Sequence, residues 1–307
     1  MTETPQTHHR FRAIGTHVDV VVRRPADLEA AVRIATEVLA DVDETCSRFR
    51  DDSDLSRVND RPGEWVEVDP LLAAAVAVAV DAARRTDGLV NPLLGRQLEV
   101  LGYDRDFDLL RLLEDEVAVQ PPAPEVGAWR RIALDDAGAV RIPAGTCLDL
   151  GATGKAWSSD LIAAAWEERL SGSALIGVGG DLRVASPDGH PWLVGVAERP
   201  GEADEHVELV SGGLATSTTR IRRWSRRGER RHHLLDPRTG LPAEEVWRTV
   251  TALGATCTAA NTASTASVVL GDAAPEQLAD WSVSARLVHH DGTELRLGSW
   301  PERRNVA

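Results

Sequence analysis

Helical and strand-like periodicities occupy separate stretches of this chain, and that separation limits its architecture more than any other feature. Apolar residues recur at helical spacing from Pro25 to Phe49 and from Pro70 to Arg85, where Gly88 stands ready to end the second helix. A further amphipathic run follows Lys155. Short strands then succeed one another at Ala174 to Val178, Leu182 to Ala185, Trp192 to Ala197, His206 to Val210 and Trp247 to Leu253. Ala259 to Leu270 reads as a helix of small residues, and Ser284 to His289 with Glu294 to Leu297 as a hairpin around Asp291-Gly292. Near the start, Phe11 to Val22 reads as one strand with Gly15-Thr16 as a local interruption. Blocks of this kind, without strict βαβ alternation, predict an α+β fold and disfavour a doubly wound sheet.

Residues 1–10 are polar and read as a disordered N-terminal segment, leaving residues 11–300 for a single domain. Asp51 to Asn59 is a polar turn region that Ser53 and Asp54 can cap, and Glu114 to Gly127, with Pro121, Pro122 and Pro124, reads as an exposed connection. Hydrophobic residues at 43% and charged residues at 27% suit a soluble protein with a substantial core. A net charge of −14 argues against nucleic acid or an anionic membrane as the main partner. Cys46, Cys147 and Cys257 are widely spaced and lack any CxxC pair, which fits reduced thiols in the cytoplasm. Met1 to Arg10 has no apolar signal core, and no run is long enough to span a bilayer.

Lys155 is the only lysine among 307 residues. A position that keeps a lysine in a chain otherwise committed to arginine points to a need for a compact ammonium. Small residues surround it at the start of a predicted helix, a setting in which backbone amides open toward an anion. A Walker phosphate loop does not fit, because Asp149 stands where the first glycine belongs and Ala156 replaces the Ser or Thr. Gly177-Val178-Gly179-Gly180-Asp181 is no dinucleotide fingerprint either, since a strand follows it; a tight hairpin capped by Asp181 serves equally well. Downstream, Arg231-His232-His233-Leu234-Leu235-Asp236-Pro237-Arg238-Thr239-Gly240 can bring one imidazole to a site edge. Asn261 and Thr265, at i and i+4, share a helix face and offer oxygens suited to a hard cation, although a small-residue packing face is the plainer reading of that helix alone.

In order along the chain, these segments resemble the FAD:protein FMN transferase (ApbE) family from about Phe11 to Leu270. Ile14-Gly15-Thr16 resembles the family's opening Met-Gly-Thr, and Ser47 to Asn59 its serine/aromatic segment ending in asparagine. Gly88-Leu89-Val90-Asn91-Pro92 resembles a Gly-x-Phe-Asp-Pro turn, and Asp149 to Asp160 is similar to Asp-Leu-Gly-Gly-Ile-Ala-Lys-Gly-Tyr-Ala-Val-Asp with the lysine in register. Ala174 to Asp181 resembles the family's glycine-glycine-aspartate strand end, and His233 to Gly240 its His-Ile-Ile-Asp-Pro-x-Thr-Gly.

The resemblance implies antiparallel-rich sheets packed with helices, and Mg²⁺-dependent transfer of FMN from FAD to a Ser or Thr hydroxyl of a target protein with release of AMP. It implies that Ile14, Phe49, Leu89, Val90, Asn91, Asp149, Lys155 and Leu235 lie along FAD, with Phe49 as an aromatic that stacks on a flat ring. A metal would take the Ala152 carbonyl and the side chains of Asn261 and Thr265, and His233 would handle the acceptor proton. Asn261 departs from the family, which has aspartate there; Asn91 likewise replaces an aspartate, and Thr218-Thr219-Arg220 replaces Gly-Asp-Tyr. The arginines from Arg220 to Arg231 form either a solvated loop or a cationic supplement, near the pyrophosphate or for docking an acidic target. Hydrolysis of FAD to FMN and AMP, or FAD binding without catalysis, are the alternatives.

Overall fold

In the computed structural model, which describes residues 6–105, 107, 120–199, 205–226 and 229–301, eight antiparallel strands form one sheet in chain order. They are β1 (Thr7–Ala13), β2 (Thr16–Val22), β3 (Ala174–Val178), β4 (Asp181–Ala185), β5 (Gly212–Thr218), β6 (Trp247–Gly254), β7 (Ala285–His289) and β8 (Glu294–Leu297). The long excursion between β2 and β3 carries α1 (Leu28–Cys46), α2 (Asp54–Asn59), α3 (Pro70–Arg85), α4 (Gly95–Val100) and α5 (Gly154–Arg169). A second excursion, between β6 and β7, carries α6 (Cys257–Leu270) and α7 (Ala274–Asp280). None of these helices is long and apolar enough to cross a membrane.

Strand alternation assigns each face of the sheet a partner. Val18, Val20 and Val22 of β2, with Ala174, Ile176 and Val178 of β3, build a core with Ile34 and Leu39 of α1 and Ile162 and Trp166 of α5. Residues of the opposite parity, Val21, Leu175, Leu182, Val184 and Leu214, meet the hairpin of Trp192–Val196 and Glu205–Leu209 on the other face. With both faces covered, the strands read as nearly continuous apolar runs. Ahead of them, α2 and α3 pack around Leu55, Leu72, Val76, Trp129, Val140 and Leu148 to form a separate core.

Two expectations change. Phe11 to Val22 is no single strand, because Ile14-Gly15 forms the tip of a two-residue hairpin with φ of 41° and 67°. Such a turn needs positive φ at both residues, and a β-branched Ile in that region is strained, so the sequence carries no ordinary turn signal. Nor is the whole of 1–10 a disordered tail: β1 begins at Thr7, paired to Val22, and Arg10 bonds Asp19 at 2.7 Å. Of the proline-rich connection, Glu114 to Val119 lies outside the described residues, whereas 120–127 is irregular and is tied down where Gln97 donates to the Pro122 carbonyl.

Candidate functional site

A cavity of about 940 Å³ opens between the sheet, the N-terminal end of α5, α6 and the loops that follow α1 and α3. All twelve residues singled out in the sequence line it: Ile14, Phe49, Leu89, Val90, Asn91, Asp149, Ala152, Lys155, His233, Leu235, Asn261 and Thr265. They belong to six separated segments, and specific local contacts bring them together.

The floor is set by α6. Asp160, near the middle of α5, accepts from the Cys257 and Thr258 amides at 2.8 Å each and so caps the first turn of α6 from a distance. Gly213 and Gly254 let that helix lie directly on β5 and β6, because a Cβ at either would come within 2.6 Å of α6 backbone nitrogens. Helix α6 is accordingly made of small residues, and Asn261 and Thr265 project from it into the cavity. The Thr265 hydroxyl pairs with Ser217 of β5 at 2.9 Å. Asn261 turns its amide nitrogen toward Asp181 at 3.5 Å, while its Oδ1 is buried without a hydrogen-bond partner. These are hard neutral oxygens, and among the described residues no three His, Cys, Asp or Glu gather as a metal cluster.

Above this floor lie the ionisable groups. Lys155 sits in the first turn of α5 and lays its stem beside Gly179 at the β3–β4 turn. Burial pushes its ammonium below the usual lysine range, aided by the Arg222 charge and opposed by Asp181 and Asp149. Asp181, 3% exposed, is pushed upward by burial, with Lys155 and the Asn261 amide resisting. Burial holds the His233 imidazole well below its ordinary value, reinforced by the nearby Arg222 and Lys155 charges, so the ring is neutral at physiological pH. Its Nδ1 is buried and has no partner. The neighbouring His232 is structural: Nε2 meets the Ala243 carbonyl at 3.0 Å, and burial lowers the ring to about 4.

The opposite wall is aromatic and cationic. Arg48 bonds Asp149 at 2.5 Å and the Tyr103 carbonyl at 2.6 Å, and its guanidinium lies 4.3 Å from the Phe49 ring centroid. Phe49 and Tyr103 are tilted at 5.9 Å between ring centroids, and Trp224 backs Tyr103 at 5.6 Å. Asp149 is placed from behind, because the Asn59 side chain brackets Leu148, accepting from its amide at 2.7 Å and donating to its carbonyl at 2.9 Å. The Leu89–Asn91 segment hangs from Thr86, whose hydroxyl takes the Val90 amide at 3.1 Å, and Asn91 Oδ1 accepts from Leu93 at 2.9 Å.

Sequence reasoning missed several residues that line the cavity. Asp181, for which the sequence leaves turn cap and ligand role equally open, opens β4 and faces Asn261. Arg48 and Tyr103, the chain's only tyrosine, line it too, and an arginine beside Phe49 is the one signal the sequence offers for them. Much of the arginine-rich stretch pairs as two strands, Arg223–Arg226 with Glu229–His232. Arg222, just ahead of them, enters the cavity and bonds the Tyr103 hydroxyl at 3.2 Å, whereas Arg223 turns to Glu245.

The model of the ApbE family matches residues 14–287. A Treponema pallidum protein named FAD:protein FMN transferase is 30% identical over 282 residues, which cover 84% of this chain and 77% of that protein. A Salmonella typhimurium protein of the same name is 26% identical over 264 residues, covering 83% and 74%. The crystal structure of an ApbE protein from Thermotoga maritima is similar with a TM-score of 0.83 at 28% identity, covering 95% of this chain and 97% of that one. The apo flavinyl transferase ApbE of Pseudomonas stutzeri, at 23% identity, shares the fold with a TM-score of 0.76, covering 96% of each chain.

Proposed function

The chain belongs to the ApbE family, and from that membership we propose that it is an FAD:protein FMN transferase, moving FMN from FAD to a Ser or Thr hydroxyl of a target protein and releasing AMP. The observation that carries this reading is convergence: twelve residues from six separated motifs line one cavity, polar at one end and aromatic at the other. Its three cysteines, widely spaced and without a CxxC pair, support the cytoplasm as its compartment.

In the transfer, the acceptor oxygen bonds to the FMN phosphorus, and the bond from that phosphorus to the bridging oxygen breaks. AMP leaves with the bridging oxygen. Little covalent chemistry is asked of the protein, so positioning and charge dominate. Phe49, backed by Tyr103 and Arg48, offers a flat face for a ring system. Lys155 and Arg222 bring positive charge into the cavity, where a pyrophosphate needs it. His233, neutral and with Nδ1 unpartnered, takes the acceptor hydroxyl proton. The residues present fit Mg²⁺, since the orphaned Asn261 Oδ1 is a hard oxygen in want of a partner, and Thr265 Oγ1 and the Ala152 carbonyl would complete the protein's share. Bound there, the ion would neutralise charge on the pyrophosphate.

The test is incubation with FAD, Mg²⁺ and a candidate acceptor protein, followed by intact mass and nucleotide analysis. The expected result is AMP together with an acceptor heavier by one FMN. Free FMN with no adduct on any acceptor would make the protein an FAD hydrolase, and FAD bound without turnover would make it a flavin carrier; either result overturns the reading.

A further inference from the structure

We propose that Asp181 is the positioning residue of the cation site, aiming the Asn261 carbonyl oxygen at the ion and supplying from β4 the negative charge that α6 lacks. The proposal rests on the cation site assigned under the proposed function.

The geometry is that of a paired amide and carboxylate. Asn261 is 6% exposed and Asp181 3%, so neither finds its partners in bulk water. Asn261 Nδ2 donates to Asp181 Oδ2 at 3.5 Å. A carboxamide has one donating and one accepting end, so engaging the NH₂ on Asp181 turns Oδ1 the other way. That oxygen is buried and unpartnered, on the helix that also presents Thr265 one turn later. An orphaned buried acceptor is costly unless something satisfies it, and a cation is the partner this position lacks.

Asparagine at 261 sets the charge of the pair. With aspartate there, two carboxylates would meet at this separation, and one would need a proton or a cation to remain. Asparagine removes that repulsion and leaves one full negative charge in the pair, carried by the strand instead of the helix. Lys155 and Arg222 face Asp181 from α5 and from the segment after β5, and they add to the positive field around it. Asp181 therefore balances cations from the protein as well as the ion it helps to hold.

Residues that orient a metal ligand typically contribute 10- to 100-fold in affinity. The experiment uses the full chain with FAD present, Mn²⁺ as the probe, and free Mn²⁺ read by electron paramagnetic resonance. FAD affinity without metal is measured in parallel by flavin fluorescence. D181N is expected to weaken Mn²⁺ binding by about 10- to 100-fold. The double exchange D181N/N261D, which restores one carboxylate and one amide with their places swapped, is expected to recover most of that loss. Because the exchange keeps the same pair of groups in the core, recovery reports the charge of the pair and not the integrity of the fold. Unchanged Mn²⁺ affinity in D181N, or a double variant no better than D181N, overturns the role of Asp181 while leaving the cation site standing. A wild-type protein that takes up no Mn²⁺ with FAD bound overturns the site and this inference together.

Discussion

The two ends of the cavity are built on different principles. The polar end, with Lys155, Asp181, Asn261, Thr265 and His233, stands mostly on regular elements whose backbones are locked by the sheet and by the Asp160 cap. The aromatic end, with Arg48, Phe49 and Tyr103, stands on loops and is held by side chains, chiefly the Arg48–Asp149 ion pair and the tilted ring contacts. Phosphorus chemistry tolerates little misplacement, and under the proposed function it falls to the half built on regular elements. Ring recognition tolerates more, since a planar face is satisfied by any flat partner. Turnover and affinity should therefore separate by mutation.

The largest separation is expected at His233. His233→Ala should lower kcat for FMN transfer by about 10²- to 10⁴-fold with FAD affinity little changed. Loss of FAD binding on the same scale, measured by fluorescence quenching, would erase the distinction between the two ends. Under the proposed function the neutral ring is the base, and burial depresses its titration well below 6.5, so the acid limb of the kcat/KM profile should fall below pH 6.5. A limb at or above pH 6.5 would assign the proton to another group.

Phe49→Ala should do the converse. Loss of one stacking face is worth about 1–3 kcal/mol, so FAD binding should weaken by about 5- to 150-fold while kcat at saturation survives. Titration calorimetry and steady-state rates on the same sample give both numbers. A kcat that collapses along with affinity would mean that the aromatic wall also sets the reacting geometry.

A smaller effect tests the frame behind the polar end. His232 titrates near 4 in the fold against 6.5 unfolded. The unfolded chain therefore binds its proton first, and the stabilisation present above pH 6.5 is lost as pH falls toward 4, by at most about 3 kcal/mol. Urea melts across that window should slope downward with acid, and the slope should flatten in His232→Gln. An equal slope in the variant would shift the effect to His233 or to the carboxylates.

The polar end was also the more legible from sequence, for the same physical reason. Asn261 and Thr265 reveal themselves by i, i+4 spacing on one helix, and Lys155 by its solitude in an arginine-rich chain. The antiparallel strands announce themselves through β-branched and apolar runs between turn residues. What escaped are pairings across long sequence distances. Asp160 caps a helix 97 residues away, and Arg48 meets Asp149 across 101, with nothing local to signal either. Tyr103 lies in an irregular stretch, and its ring neighbour Phe107, four residues on, gives no sign of the cavity. The β1–β2 hairpin escaped for another reason: its tip places Ile14 at φ 41°, against the preference that turn prediction relies on.

A chain with one lysine has one side-chain amine, and here that amine lines the cavity with its proton affinity lowered by burial. More of it is in the free-base form at neutral pH than for an ordinary lysine, which makes it the better nucleophile toward an acylating reagent. Amine-selective labelling, ordinarily a map of a protein's whole surface, becomes here a gauge of a single chamber once the label on Lys155 is resolved from that on the α-amine. A bound nucleotide would read out as a label that fails to arrive.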